Sequence, residues 1–235
     1  MTRRGILGAG VGTLFAALGA CNIFRSPSYR FRLTVNVDTP DGIRTGSSIC
    51  EVKADRGTDL STGGQTQGVK MRGEAAIVEL PDDRLLVALL LTNNPLLRDV
   101  GKASLRTLDG GFDGKKYNSA KRIEDAGSIG PVDMPEPDLP VLVTFEDPTD
   151  PESLKVVDPS DLASTFGAGY SLESITMETT QDRVTDHVPE FFPWLPAIPG
   201  SLLPSTTIYS SEKPLAEKIR PPHFQLTGFD SLWLN

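Results

Sequence analysis

The clearest pattern in the chain runs from Tyr29 to Asp38. Tyr29, Phe31, Leu33, Val35 and Val37 are apolar, and Arg30, Arg32, Thr34, Asn36 and Asp38 between them are polar. A period of two puts one set on each face of an extended segment, so the stretch predicts a half-buried strand. The "TPDG" that follows supplies proline and aspartate for turn positions and Gly42 for a positive φ. The next segment, "IRTGSSICEVK", is then expected to return as the antiparallel partner. A second hairpin is predicted in "GEAAIVELPDDRLLVALLLT", two apolar strands around Pro81 to Arg84. Its second strand, Leu85 to Leu91, is apolar almost without interruption, the pattern of a strand buried on both faces. It is too short to cross a membrane as a helix.

Farther on, "VLVTF" predicts a short strand and "VDPSDLASTFG" a short helix. In that helix Asp158 is placed to cap, Pro159 suits the first turn, Asp161 complements the dipole and Gly167 ends it. "YSLESITMETT" returns to β composition. "FFPWLPAIPGSLLP" is apolar but broken by Pro193, Pro196, Pro199 and Pro204, which predicts an irregular segment wrapped over the fold. "TTIYSS", "PLAEKI" and "HFQLTGF" suggest a strand, a helical turn and a last strand. From Leu108 to Pro140 the chain is rich in glycine, proline and charge, and is expected to be irregular, a boundary between sub-regions. Together these elements predict an α+β fold, mainly antiparallel β with one or two short helices. They make a single domain over residues 29–235, preceded by a tether at 21–28.

Residues 1–20 read as a signal peptide: Arg3 and Arg4 at the start, an apolar run from Gly5 to Ala20, then small residues before Cys21. The run is diluted by five glycines and falls short of the roughly 20 apolar residues that a comfortable span needs. Leu18, Gly19, Ala20 and Cys21 resemble the lipobox of bacterial lipoproteins. That resemblance implies transfer of a diacylglyceryl group to the Cys21 sulfur and cleavage between Ala20 and Cys21. Asn22 rather than aspartate follows, which favours the outer membrane over retention in the inner one. The opening "TRRGIL" also resembles twin-arginine export signals, although Gly8 stands where lysine is common. Arg3 and Arg4 serve equally well as an ordinary positive start, and both routes stay open.

The whole chain has 23 basic and 31 acidic residues; without Arg3 and Arg4 the balance is 21 to 31, a net charge of −10. Such a surface repels phosphate backbones and anionic headgroups, so nucleic-acid binding is disfavoured. With Cys21 acylated, Cys50 is the remaining cysteine and no intramolecular disulfide can form. The two histidines, His187 and His223, belong to no zinc pattern, and the chain has no C-x-x-C, G-x-S-x-G or phosphate-binding loop. "LDGGFDGKKYNSA" places Asp109, Asp113 and Gly114 at calcium-loop positions. Gly111 and Ala120 stand where oxygen ligands are required, so no metal or cofactor is expected. His187 beside Asp186 is the one acid–base neighbourhood.

Two blocks, Tyr29 to Val52 and Asp147 to Asp186, resemble segments of uncharacterised bacterial proteins, many with lipoprotein signals. This resemblance implies an envelope location and carries over no catalytic residue. The expected function is a binding or structural role at the periplasmic face of a membrane, with the membrane contacted through a lipid on Cys21 and with an envelope protein as a further partner. The alternative is a hydrolase-like envelope enzyme without a local motif. Phe191, Phe192 and Trp194 are the candidate partner contacts, because aromatics in irregular segments often anchor interfaces. The competing reading is that they plug the domain's own core.

Overall fold

The computed structural model describes residues 25–58, 63–203, 213–230 and 232. The signal peptide and the "TTIYSS" segment lie outside the described residues. In chain order the elements are β1 (Ser28–Thr39), β2 (Gly42–Thr58), β3 (Gln65–Glu74), β4 (Ala76–Glu79), β5 (Leu85–Thr92), α1 (Val100–Asp109) and α2 (Lys116–Ala126). Then come β6 (Val132–Asp133), β7 (Pro140–Phe145), β8 (Leu154–Val157), α3 (Leu162–Phe166), β9 (Ser171–Thr180), α4 (Val188–Phe191), α5 (Leu215–Lys218) and β10 (Gln225–Asp230). The fold is α+β and mainly antiparallel β, as the periodicity predicts.

The first hairpin forms as expected. Its register runs from Ser28 opposite Lys53 to Thr39 opposite Gly42, which leaves Pro40 and Asp41 as the turn. All five apolar residues of the alternating strand are buried, while the intervening residues of β1 stay partly exposed on the other face. The strands form a six-stranded sheet ordered β10-β3-β2-β1-β9-β6 and a four-stranded sheet ordered β4-β5-β7-β8. The two sheets meet where β3 gives way to β4. There Gly73 takes a φ of 141°, and an added Cβ would sit 2.6 Å from the Cys50 sulfur. On the facing strand a Cβ at Gly46 would lie 2.0 Å from the Ile77 carbonyl oxygen, so only glycine lets β2 and β4 approach this closely.

One core fills the space between the sheets, from Phe31, Leu33 and Val35 on β1 to Leu86, Ala88 and Leu90 on β5, and is closed by α1 and α2. A second core lies on the other face of the four-stranded sheet. Leu85, Val87, Leu89 and Leu91 of β5 pack there beneath Val188, Phe192, Leu195, Ile219 and Phe224. The unbroken apolarity of β5 is thereby explained, since both of its faces are inside.

The helices depart from the sequence expectation. Five short α-helices are described, and α2 lies within the stretch expected to be irregular. Its apolar face is thin, with Ala120 and Ile123 buried, and its first residues have no side-chain cap from their own segment. The missing cap is supplied from β3, where Gln67 Oε1 accepts the Tyr117 N–H at 2.9 Å. Arg122 then ties α2 to Asp109 at the end of α1 through bonds of 2.6 and 2.7 Å. In α3 the cap is Asp161, whose carboxylate accepts the Ser164 N–H, and Asp158 instead makes a local turn onto Ser160. Among the described residues no helix is long and apolar enough to cross a membrane.

Candidate functional site

Cys21, Ala20, Arg3 and Arg4 lie outside the described residues, so the lipidation and export positions have no geometry here. The aromatic segment is described in full. Phe192 is completely buried, and Phe191 and Trp194 are partly buried against the same cluster. Phe145, Phe192, Trp194 and Phe224 pack with ring centres 5.0 to 6.5 Å apart. The Trp194 indole N–H donates to the Pro148 carbonyl at 2.8 Å. The placement of Phe192 is that of the core alternative: its ring covers the apolar outer face of the four-stranded sheet and offers no surface to a partner.

What brings this segment to the sheet is a carboxylate that sequence reading did not single out. Glu74, at the end of β3, is 2% exposed and accepts the backbone N–H groups of His187 at 2.7 Å and Val188 at 2.8 Å. A buried carboxylate on two amides at the start of α4 satisfies donors that the helix leaves open and complements their partial positive charge. Its signal in the sequence is faint: a charge just before the apolar run Ala75 to Val78. The partners are more than a hundred residues away.

His187 lines a cleft of about 340 Å³ between β2, β4 and α4, which Glu74, Glu79 and Glu190 also line. Its Nδ1 lies 3.4 Å from a Glu190 carboxylate oxygen, and both side chains are largely exposed. Asp186, its neighbour in sequence, instead accepts from the Gln225 amide at 2.5 Å. A general base must hold or reach the proton it removes. Among the described residues no hydroxyl or thiol is hydrogen-bonded to the His187 ring, and the arrangement is that of a surface pair.

Several other buried polar groups are tied into the framework, while Ser48 Oγ, Thr107 Oγ1 and Asp138 Oδ2 have no hydrogen-bond partner among the described residues. His223 is 1% exposed and accepts the Arg220 N–H on Nδ1 at 3.1 Å. Burial, and secondarily the nearby Arg220 charge, push its pKa down to about 4. The Cys50 thiol is fully buried and donates to the Glu74 carbonyl at 3.6 Å; desolvation pushes it up to about 12, which suppresses the reactive thiolate. Asp99 caps α1 through the Lys102 N–H at 2.8 Å. Desolvation raises its pKa against the opposing pull of the Lys102 ammonium. Asp138 accepts from Asn94 at 2.7 Å and faces Arg106 at 3.4 Å. Asp109, from the calcium-like stretch, is occupied by Arg122, whose hydrogen bonds hold its carboxyl below the ordinary carboxylate range.

Comparison with family models, with curated proteins and with solved structures gives no match.

Proposed function

We propose that this chain is a lipid-anchored protein of a bacterial envelope. Acyl chains on Cys21 hold it at the periplasmic side of a membrane, the outer membrane by the identity of Asn22, where it has a non-catalytic binding or structural role. The order of features at the N-terminus carries the reading: basic residues, a glycine-diluted apolar run, Leu18-Gly19-Ala20-Cys21, and then a strand at Ser28, seven residues after the cysteine. Two or more acyl chains convert marginal membrane binding into stable anchoring, at about 0.8 kcal/mol per buried methylene. The link to β1 reaches about 25 Å when fully extended, so an anchored protein works close to the bilayer. The non-catalytic part is supported by the buried ionisable groups, since Glu74, Asp99, Asp109, Asp138 and His223 are each engaged in holding the fold. Cell fractionation tests the anchor: Cys21→Ser should move the protein from the membrane to the soluble fraction, and retention of the variant would count against it.

A further inference from the structure

β2 is paired along its whole length on one side only. β1 runs beside it from Gly42 to Lys53, whereas β3 joins it from Glu51 onward, opposite Arg72. The side turned away from β1 therefore has no hydrogen-bonded strand between Gly42 and Cys50. At Ile49 that place is taken by Thr185, whose Oγ1 accepts the Ile49 N–H at 3.0 Å and whose N–H donates to the Ile49 carbonyl at 3.3 Å. Outward-directed residues alternate along an antiparallel strand, so the backbone groups of Ser47 and Thr45 point the same way as those of Ile49. The described residues make no hydrogen bond to them from that side. The chain beyond Thr185 is held instead by Glu74, at the His187 and Val188 amides.

The two open rungs face the cleft of about 340 Å³ that His187 also lines, with Thr45 and Ser47 both exposed along it. Ile77 and Phe191, each partly buried, supply its apolar lining. Phe191 thus differs from Phe192, whose ring is shut inside the core. The acidic residues of the cleft are Glu74, Glu79 and Glu190, and no lysine or arginine lines it. Among the described residues Glu79 has no ion-pair partner and Glu190 meets only His187. Glu74 gives Oε2 to both amides, while its Oε1 accepts no hydrogen bond from the described residues. An unpaired strand edge is a template for another chain, and folds commonly cover it or blunt it. Here its open rungs lie in a concave cleft with apolar side chains and uncompensated carboxylates.

We propose that this cleft docks an extended, lysine- or arginine-bearing segment of an envelope protein. The segment adds to β2 as a short strand: its backbone pairs with Thr45 and Ser47, and its cationic side chain meets Glu79 and Glu190. This rests on the binding role proposed above, and names the site and the class of partner.

The test is amide hydrogen exchange of the full chain in detergent, read at single residues by mass spectrometry. The probes are a capped peptide of alternating valine and lysine, its valine–glutamate counterpart, and the lysine peptide methylated at its backbone nitrogens. At about ten times the midpoint of its titration the lysine peptide should slow exchange of the Thr45 and Ser47 amides by about tenfold, the fraction left unoccupied setting the rate. The glutamate and methylated peptides should leave both amides unchanged. Glu79→Gln together with Glu190→Gln, both exposed positions, should weaken the lysine peptide by about fivefold. No protection by the lysine peptide, or protection confined to other residues, overturns the site. Equal protection by the glutamate peptide, or unchanged affinity in the double variant, overturns the cationic partner, and equal protection by the methylated peptide overturns strand addition. Cleavage of the lysine peptide in the same spectra removes the non-catalytic reading, while protection at Thr45 and Ser47 still decides the site.

Discussion

His223 is where a single side chain makes a pH-dependent contribution. Its folded-state pKa of about 4 lies below the ordinary value of about 6.5 expected in the unfolded chain. Between those values the unfolded state binds the proton that the folded state refuses, so stability rises with pH across that window. The contribution is complete above about pH 6.5 and is lost as pH falls toward about 4, a difference of about 3 kcal/mol. His223→Gln removes the titrating group. Urea unfolding at pH 7 and pH 4.5 should show a smaller pH-dependent loss in the variant than in the parent, and equal losses would mean that the imidazole is not held neutral. None of this was legible in the sequence, where His223 is one histidine in a proline-rich tail. Its burial depends on the second core, built from segments scattered along the chain.

Glu74 and Phe192 together set how the proline-broken segment attaches. Glu74→Ala leaves the His187 and Val188 amides without their charged acceptor and should cost about 3 kcal/mol, whereas Glu74→Gln keeps one acceptor oxygen and should cost clearly less. A chemical-denaturation series that ranked the two variants equally would mean that the charge on these amides contributes nothing. Phe192→Ala removes a completely buried ring and should cost about 3–5 kcal/mol by thermal or urea unfolding; a loss below about 1 kcal/mol would place the ring outside the core. Elements whose pattern is local were readable in advance. The alternation of β1, the turn at Pro40 and Asp41, the doubly buried β5 and the irregular wrap after Phe191 all show in the order of residues. Helix α2 was hidden because what stabilises it is not local: its N-terminal amide is capped by Gln67 from β3, and Arg122 reaches back to Asp109. The residue that caps α3 was misplaced by three positions because Asp158 and Asp161 both have the chemistry of a cap, and only the backbone geometry chooses between them.

At the scale of the whole molecule, the sheet order joins β1 to β9, strands that the chain separates by well over a hundred residues, and this could not be read from periodicity. The N-terminal features, by contrast, are entirely a matter of sequence, and anchoring stands on the chemistry of one thiol. Mass spectrometry of the mature N-terminal peptide, with metabolic labelling by a fatty-acid analogue, addresses that chemistry directly. The predicted result is a chain that begins at Cys21 and carries a diacylglyceryl thioether, with no label incorporated by Cys21→Ser. An unmodified Cys21 in the mature chain, or labelling of the serine variant at the level of the parent, would contradict it.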